Sequence, residues 1–413
     1  MKEHADSVDA PQLALAAPKS TGMRRHGRKA EIRQQVVQES QNGERRTTTI
    51  MPATHGPTGM NLSTMTFGVD IGDKKSNYCL LDPEGWIVRE GSFSTTRDGV
   101  MKAFVDLPLA RIAFEVSAHS GWMSELLDKA GHEVIVANPR KVRSIYTSTR
   151  KNDRMDARKL ARLARLDPEL LYPVRHRSRQ ARHDLILIRA REQLVKTRTL
   201  LVNAVRGLVK SVGGRLPASS SEYFHIKAES MIPEELQGAL LPLLDQIASL
   251  TEAIRGYDEA ISSLAATNYG ETVLLQQIQG VGALTALTFM LTIKSPDRFQ
   301  KSRDVGPYFG LVPKQHESGD SPPQLHITKT GDMMVRRLLV GSSHFILGPF
   351  GEDSDLRRFG ISIAERGGKN AKKRAVVAVA RKLAVLLHRL WVTGEVYQPC
   401  GYRAQTPATG TAA

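Results

Sequence analysis

Asp153 and Asp156 stand three residues apart in Lys151-Asn-Asp-Arg-Met-Asp-Ala-Arg-Lys159, a stretch that otherwise carries Lys151, Arg154, Arg158 and Lys159. On a helix, that spacing puts both carboxylates on one face about one turn apart, where they repel each other unless a cation sits between them. Taken alone, such a pair is more often a solvated, mixed-charge helix start, with Asp153 near the N-cap. Two further acids change the weighting. Asp70 lies in Thr66-Phe-Gly-Val-Asp-Ile-Gly72, and Glu115 lies in Ile112-Ala-Phe-Glu-Val116. A carboxylate inside an apolar strand is costly unless it is paired, hydrogen-bonded or bound to a metal. Four carboxylates suit two Mg²⁺ ions roughly 4 Å apart, which activate an attacking oxygen and stabilise the leaving oxygen at a phosphodiester.

The elements that must position these acids follow from the local pattern. After Thr66–Gly72, apolar runs at Tyr78–Leu81 and Trp86–Phe93 flank a turn at Asp82-Pro-Glu-Gly85, which gives a three-stranded meander. A helix is expected from Arg97 to about Leu107, a buried strand at Arg111–Val116, a helix at Ser120–Ala130 and a strand at His132–Ala137. The basic Asn138-Pro-Arg-Lys-Val-Arg143 precedes a helix through Asp153 to Leu166. Three strands, a helix, then alternating strand and helix is the order of a ribonuclease-H-like (RuvC-like) α/β domain, placed at residues 65–183. Its first and fourth strands are neighbours, so Asp70 and Glu115 converge, and the later helix brings Asp153 and Asp156 over the same end.

Residues 184–266 read as a helical coiled-coil connector. Leu187, Leu194, Leu201 and Leu208 recur every seventh residue, flanked by Val205 and Val212, with Arg189, Arg191, Lys196, Arg198, Arg206 and Lys210 at other positions of the same helix. After Pro233 a second heptad-like helix runs through Leu236, Leu240, Leu243, Ile247, Leu250, Ile254, Tyr257, Ile261 and Leu264. The two either fold back as a hairpin or pair with another protomer. Residues 267–397 form a mainly helical C-terminal domain. It opens on a helix-hairpin-helix-like segment around Gly280-Val-Gly282, whose second helix start can meet a phosphate or simply make a turn. It continues through the loop His316-Glu-Ser-Gly-Asp-Ser-Pro-Pro323, Lys329, the pair Arg336-Arg337, and a last helix with Lys372, Lys373, Arg374, Arg381 and Lys382. Residues 1–64, with basic knots at Arg24-Arg25, Arg28-Lys29 and Arg45-Arg46, read as a disordered arm. That arm either grips nucleic acid or is a dispensable extension ahead of a true start at Met60 or Met65. The tail, 398–413, reads likewise as disordered.

Lys and Arg total 58 against 42 Asp and Glu, a formal charge of +16, so a polyanion is the leading partner class. Aromatics at 6% argue against a stacking platform as the main binding mode and favour backbone and shape contacts. Cys79 and Cys400 form no CxxC, which suggests neither a disulfide framework nor a zinc site and fits a reducing, cytoplasmic compartment. No apolar run reaches the ~18 residues of a membrane span, and no secretion signal is read. The backbone-gripping cations are taken to be Arg140, Lys141, Arg143, Lys151, Arg154, Arg158, Lys329, Arg336, Arg337, Lys372 and Lys373.

Gly68-Val-Asp-Ile-Gly72, Phe114-Glu-Val-Ser117 and Asn152-Asp-Arg-Met-Asp-Ala157 resemble the D-E-D-D motifs of the insertion-sequence transposases of the IS110 type and of the related pilin-gene invertases. Leu275–Phe299 and Tyr308-Phe-Gly-Leu-Val-Pro313 through Gly331-Asp332 resemble that family's C-terminal transposase domain. The likeness covers roughly residues 66–392 and departs from the family in the long N-terminal arm and in the Asp320-Ser-Pro-Pro323 loop. It implies a transposase or site-specific DNA recombinase. Asp70, Glu115, Asp153 and Asp156 would bind two Mg²⁺ ions. Ser318 would attack DNA to form a phosphoserine, and a structured guide (bridge) RNA would pair with donor and target DNA. A homodimer or tetramer acting at the bacterial nucleoid is implied as well. The residues alone do not single out Ser318, because Ser321, Ser342 and Ser343 are close by.

Three other classes fit part of the pattern. A RuvC-like metal nuclease or junction resolvase would use the same acids and water, with no covalent step. A sugar-kinase-like ATPase shares Gly-Val-Asp-Ile-Gly but lacks a second glycine-rich phosphate loop and fits the charge poorly. A basic coiled-coil architectural protein leaves Asp70 and Glu115 without a reason.

Overall fold

The computed structural model describes residues 65–104, 107–142, 152–315 and 325–401, all within the unit Met65–Ala413. The expectations for residues 1–64 and for most of the tail lie outside the described residues. The strands are β1 (Thr66–Asp70), β2 (Lys75–Leu81), β3 (Ile87–Ser94), β4 (Arg111–Glu115) and β5 (Glu133–Ala137). The helices include α1 (Arg97–Phe104), α2 (Ser120–Lys129), α3 (Asp153–Leu166), α4 (Arg179–Ser211), α5 (Glu234–Asn268), α6 (Thr272–Gln276), α7 (Ala283–Ile293), α8 (Met333–Leu347), α9 (Asp355–Ala364) and α10 (Ala371–Thr393).

The sheet is mixed, in the order β3-β2-β1-β4-β5, with β1 antiparallel to β2 and parallel to β4. Side chains alternate across a strand, so each face gathers its own helices. Phe67, Val69, Ile112 and Phe114 face a core completed by Val100 and Phe104 of α1 and Met123 and Leu127 of α2. On the other face, Ala113, Ile135 and Ala137 pack on Leu160 and Ala164 of α3, while Cys79 and Leu81 meet its Ala157 and Ala161. The central residue on that face is Gly68. A Cβ there would lie 2.1 Å from the Ala157 carbonyl oxygen and 2.3 Å from the Ala161 nitrogen, so only glycine lets the helix backbone rest on the strand.

Helices α4 and α5 form a long hairpin within one chain. Leu185 and Ile188 pack with Ile261 and Ala265, Arg191 pairs with Asp258, and Val202, Val205 and Val209 pack with Leu240, Leu244 and Ile247, so the helices run antiparallel. The expected leucine seam is displaced. Ile188, Val202 and Val209 are buried, whereas Leu187, Leu194 and Leu201 are half-buried and Leu208 is 49% exposed. The most deeply buried row is thus one residue further along the chain, about 100° around the helix, with Leu187 and Leu201 packed at its edge. Both rows repeat every seven residues, so spacing alone could not choose between them.

Beyond α5 the protein is mostly helical. Its core joins Phe289 and Ile293 of α7, Leu339 and Ile346 of α8, and Val379, Leu383 and Leu387 of α10, with Phe309 between them. The helix-hairpin-helix outline is present in short form: α6 has five residues, Gly280 turns at φ +87°, and α7 is buried from Thr285 to Ile293. His388 is buried inside α10, its ring bonded to Ser302 Oγ (3.0 Å) and to the Pro296 carbonyl (2.9 Å). An antiparallel bridge between Pro313 and Ile327, with Lys314 N donating to the His326 carbonyl at 2.9 Å, zips a two-stranded stem. Among the described residues no helix is long and apolar enough to cross a membrane.

Candidate active site

Asp70 and Glu115 are the last residues of β1 and β4. The parallel register runs through Val69 opposite Phe114, so the next residues along, Asp70 and Glu115, leave the sheet side by side. Asp70 is two residues beyond Gly68 and Glu115 two beyond Ala113, so both belong to the face that α3 covers. Helix α3 runs opposite to β1. Its Ala164 carbonyl accepts from Arg111 Nη1 (3.0 Å) at the start of β4, and Ala157 lies over Gly68. Its first turn therefore projects toward the end of the sheet where Asp70 and Glu115 stand. That turn holds Asp153 and Asp156, and it is capped by Asn152, whose side chain accepts from Arg154 N at 3.1 Å.

All four predicted carboxylates are thus delivered to one end and one face of the sheet. Asp70, Glu115 and Asp156 are half-buried and Asp153 is exposed. They are not drawn into a closed ligand set: Asp156 pairs with Lys159 at 3.2 Å, and among the described residues no three His, Cys, Asp or Glu side chains are gathered as metal ligands. The donors are all carboxylate oxygens, a match for a hard cation. Adjacent strands separated by ~5 Å place two like charges together, which a divalent ion would relieve.

The predicted backbone-gripping cations divide. Arg158 forms a two-pronged bond with Glu90 on β3 (Nη2 to Oε2, 2.6 Å), which clamps α3 to the sheet edge and holds the Glu90 carboxyl below its usual range. Arg336 donates to the carbonyls of Phe309 (2.9 Å) and Thr330 (2.7 Å), and Arg337 bonds the buried Glu192 of α4. These three hold the molecule together. Lys141 lies over the Tyr172 ring at 4.9 Å, while Arg140, Arg154, Lys329, Lys372 and Lys373 are exposed. Arg143, Lys151 and Ser318 lie outside the described residues, as does Ser321. Ser342 and Ser343 are buried in α8, Ser343 donating to the Leu339 carbonyl at 2.8 Å, so neither is placed to attack a bound strand.

Sequence reasoning passed over several positioning residues. Gly68 was legible as a glycine inside a strand two places before an acid. Glu90 had no local signal. Nor did Arg177, whose Nε donates to the Leu291 carbonyl at 2.9 Å, or Lys294, which donates to the Arg175 carbonyl. Burial, followed by nearby Arg298 and Arg177, pushes Lys294 down to about 8.

Residues 67–213, from β1 to the end of α4, match the family described as a DEDD transposase of the IS110 type. Residues 273–345 match the transposase family IS116/IS110/IS902. Together these matches cover more than half of the 413 residues. The chain belongs to the IS110-type transposases. It is 27% identical over 341 residues to the transposase for insertion sequence element IS1111A of Coxiella burnetii, covering 81% of this chain and 91% of that protein. It is 26% identical over 311 residues to a probable family 20 transposase of Pseudomonas aeruginosa (73% and 90%). A pilin gene-inverting protein of Moraxella lacunata shares 24% identity over 346 residues (79% and 95%). The first family match spans all four acids of this transposase, and the second spans Ser318, Lys329, Arg336 and Arg337.

Proposed function

We propose that this transposase cleaves and rejoins the DNA of an insertion sequence at a divalent-metal site formed by Asp70, Glu115, Asp153 and Asp156, with Ser318 as nucleophile. The observation that carries the reading is the delivery of four carboxylates, from two strand ends and one helix start, to one end of the sheet. The strand order supports a ribonuclease-H-like catalytic domain over residues 65–183, followed by the helical hairpin as connector and the C-terminal transposase domain at 267–397. Bound Mg²⁺ would supply Lewis-acid stabilisation of charge on the phosphodiester oxygens.

The residues' own work is positional and nucleophilic. Helix α3, seated on Gly68 and clamped through Arg158 to Glu90, aims Asp153 and Asp156 at the strand ends. Ser318 Oγ forms a bond to phosphorus as its proton passes to a base, and the departing deoxyribose oxygen takes the broken P–O bond. Attack by a hydroxyl of the second DNA reverses the step, re-forming a phosphodiester and freeing the serine. The stem closed by Pro313 and Ile327 holds the two ends of the segment that carries Ser318. A guide RNA would choose the DNA sites, leaving the protein to read backbone and shape. Two or four chains would act together on donor and target.

Trapping decides between this and a water-using nuclease. Incubation with DNA and Mg²⁺ followed by denaturation yields a covalent protein–DNA adduct that persists in Ser321→Ala and disappears in Ser318→Ala. Cleavage with no adduct in the unaltered protein establishes the nuclease instead.

A further inference from the structure

A second feature lies in the C-terminal region. Between α9, one face of α10 and the stem around Pro313 and Ile327 runs an open groove of about 1260 Å³. Its floor is apolar, built by Leu311, Leu325, Ile327, Phe359, Val377 and Val385. Its rim is basic. On α10, Lys373, Arg374, Arg381, Lys382 and Arg389 all line it, with Val377 and Val385 between them, so turns of cations alternate with turns of apolar side chains over about 24 Å. Arg303, Lys329 and Arg358 add to the rim, and among the described residues Asp355 is the one carboxylate in the lining. Arg358 pairs with Asp353 (2.9 Å) and Arg389 with Glu395 (3.6 Å), and even with these two acids counted the cations of the described lining outnumber the carboxylates. Lys382 sits 3.6 Å from the centre of the Phe359 ring, bringing charge directly over the apolar floor.

The geometry points to this groove as a docking site for unpaired DNA, with phosphates on the rim and bases on the floor. The charge excess selects a polyanion. A duplex presents only sugar and phosphate outward and exposes its base edges only to elements that enter its grooves, so it cannot use a recessed apolar floor. An unpaired strand can turn its bases onto Phe359 and the aliphatic side chains while its phosphates meet the cations. The inference rests on the chain acting on DNA but needs neither the carboxylate site nor Ser318.

The test uses the full chain in EDTA, where metal-dependent cleavage cannot contribute, with fluorescently labelled 20-nucleotide oligo-dT, oligo-U and a 20-base-pair duplex. Lys373→Glu is expected to weaken oligo-dT about tenfold, and Phe359→Leu several-fold at unchanged melting temperature, while duplex affinity changes less than twofold. Photocrosslinking of iodouracil-substituted oligo-dT to the unaltered protein is expected to map to peptides within 325–329 or 355–389. Crosslinks confined elsewhere, equal losses for strand and duplex, or no loss for oligo-dT overturn the site. Oligo-U bound more tightly than oligo-dT overturns DNA as the occupant. Loss of strand cleavage in metal-site variants with oligo-dT binding intact separates a failure of the catalytic reading from a failure of this one.

Discussion

Gly68 of β1 and Ala157 of α3 meet so closely that a single added carbon on Gly68 would sit 2.1 Å from the Ala157 carbonyl oxygen. This contact sets how far the first turn of α3 lies from the strand ends, and so where Asp153 and Asp156 stand relative to Asp70 and Glu115. Gly68→Ala must push the helix backbone away, since no flexible side chain is available to yield. The expected cost is about 3 kcal/mol in denaturant unfolding. DNA cleavage should fall further than the loss of folded protein accounts for. Wild-type cleavage by Gly68→Ala at full folding would show that the helix position does not matter.

The carboxylate cluster predicts a stabilisation that depends on metal. Millimolar Mg²⁺ is expected to raise the melting temperature of the unaltered protein but not of Asp70→Asn or Glu115→Gln, since a ligand that binds only the folded state stabilises it. Cleavage should fall roughly 100-fold or more in each variant with DNA affinity retained. An identical Mg²⁺ shift in all proteins would remove these residues from the metal site.

The Arg158–Glu90 clamp predicts a pH dependence. Hydrogen bonding from Arg158, the largest cause, holds the Glu90 carboxyl below its ordinary value. A carboxylate with a depressed folded-state pKa contributes stability above its unfolded value, and that contribution fades as pH falls through the folded value. The difference in melting temperature between the unaltered protein and Arg158→Met is therefore expected to be constant from pH 6 to 8 and to shrink on acidification below the ordinary glutamate range. A difference that widens in acid would contradict the assignment.

The hairpin predicts which heptad row carries the fold. Ile188 is fully buried against α5, and Ile188→Ala is expected to cost about 2–4 kcal/mol. Leu208, 49% exposed, is expected to lose less than about 1 kcal/mol as Leu208→Ala. Equilibrium unfolding of the two variants measures both. Equal costs would mean that the leucine row is buried in the protein in solution, which sedimentation would then reveal as an assembly of chains.

Much of this molecule was legible from its residues, and for physical reasons. Asp70 and Glu115 stand out because charge in an apolar strand demands a partner. The strand and helix order of the first half follows from alternating runs and turn signals, and α3 begins at Asp153 because Asn152 caps it. Even the C-terminal cations were visible as a basic helix. Only tertiary structure decided the rest, since spacing records which residues share a face but not what that face meets. It showed that the Ile188 row is the one most deeply buried against α5, with Leu187 and Leu201 at its edge. It showed Arg158, Arg336 and Arg337 held by Glu90, by the Phe309 carbonyl and by Glu192, through contacts 27 to 145 residues apart in the chain. It also placed Lys329, from a loop, and Lys373, from the basic helix, on the rim of a single groove.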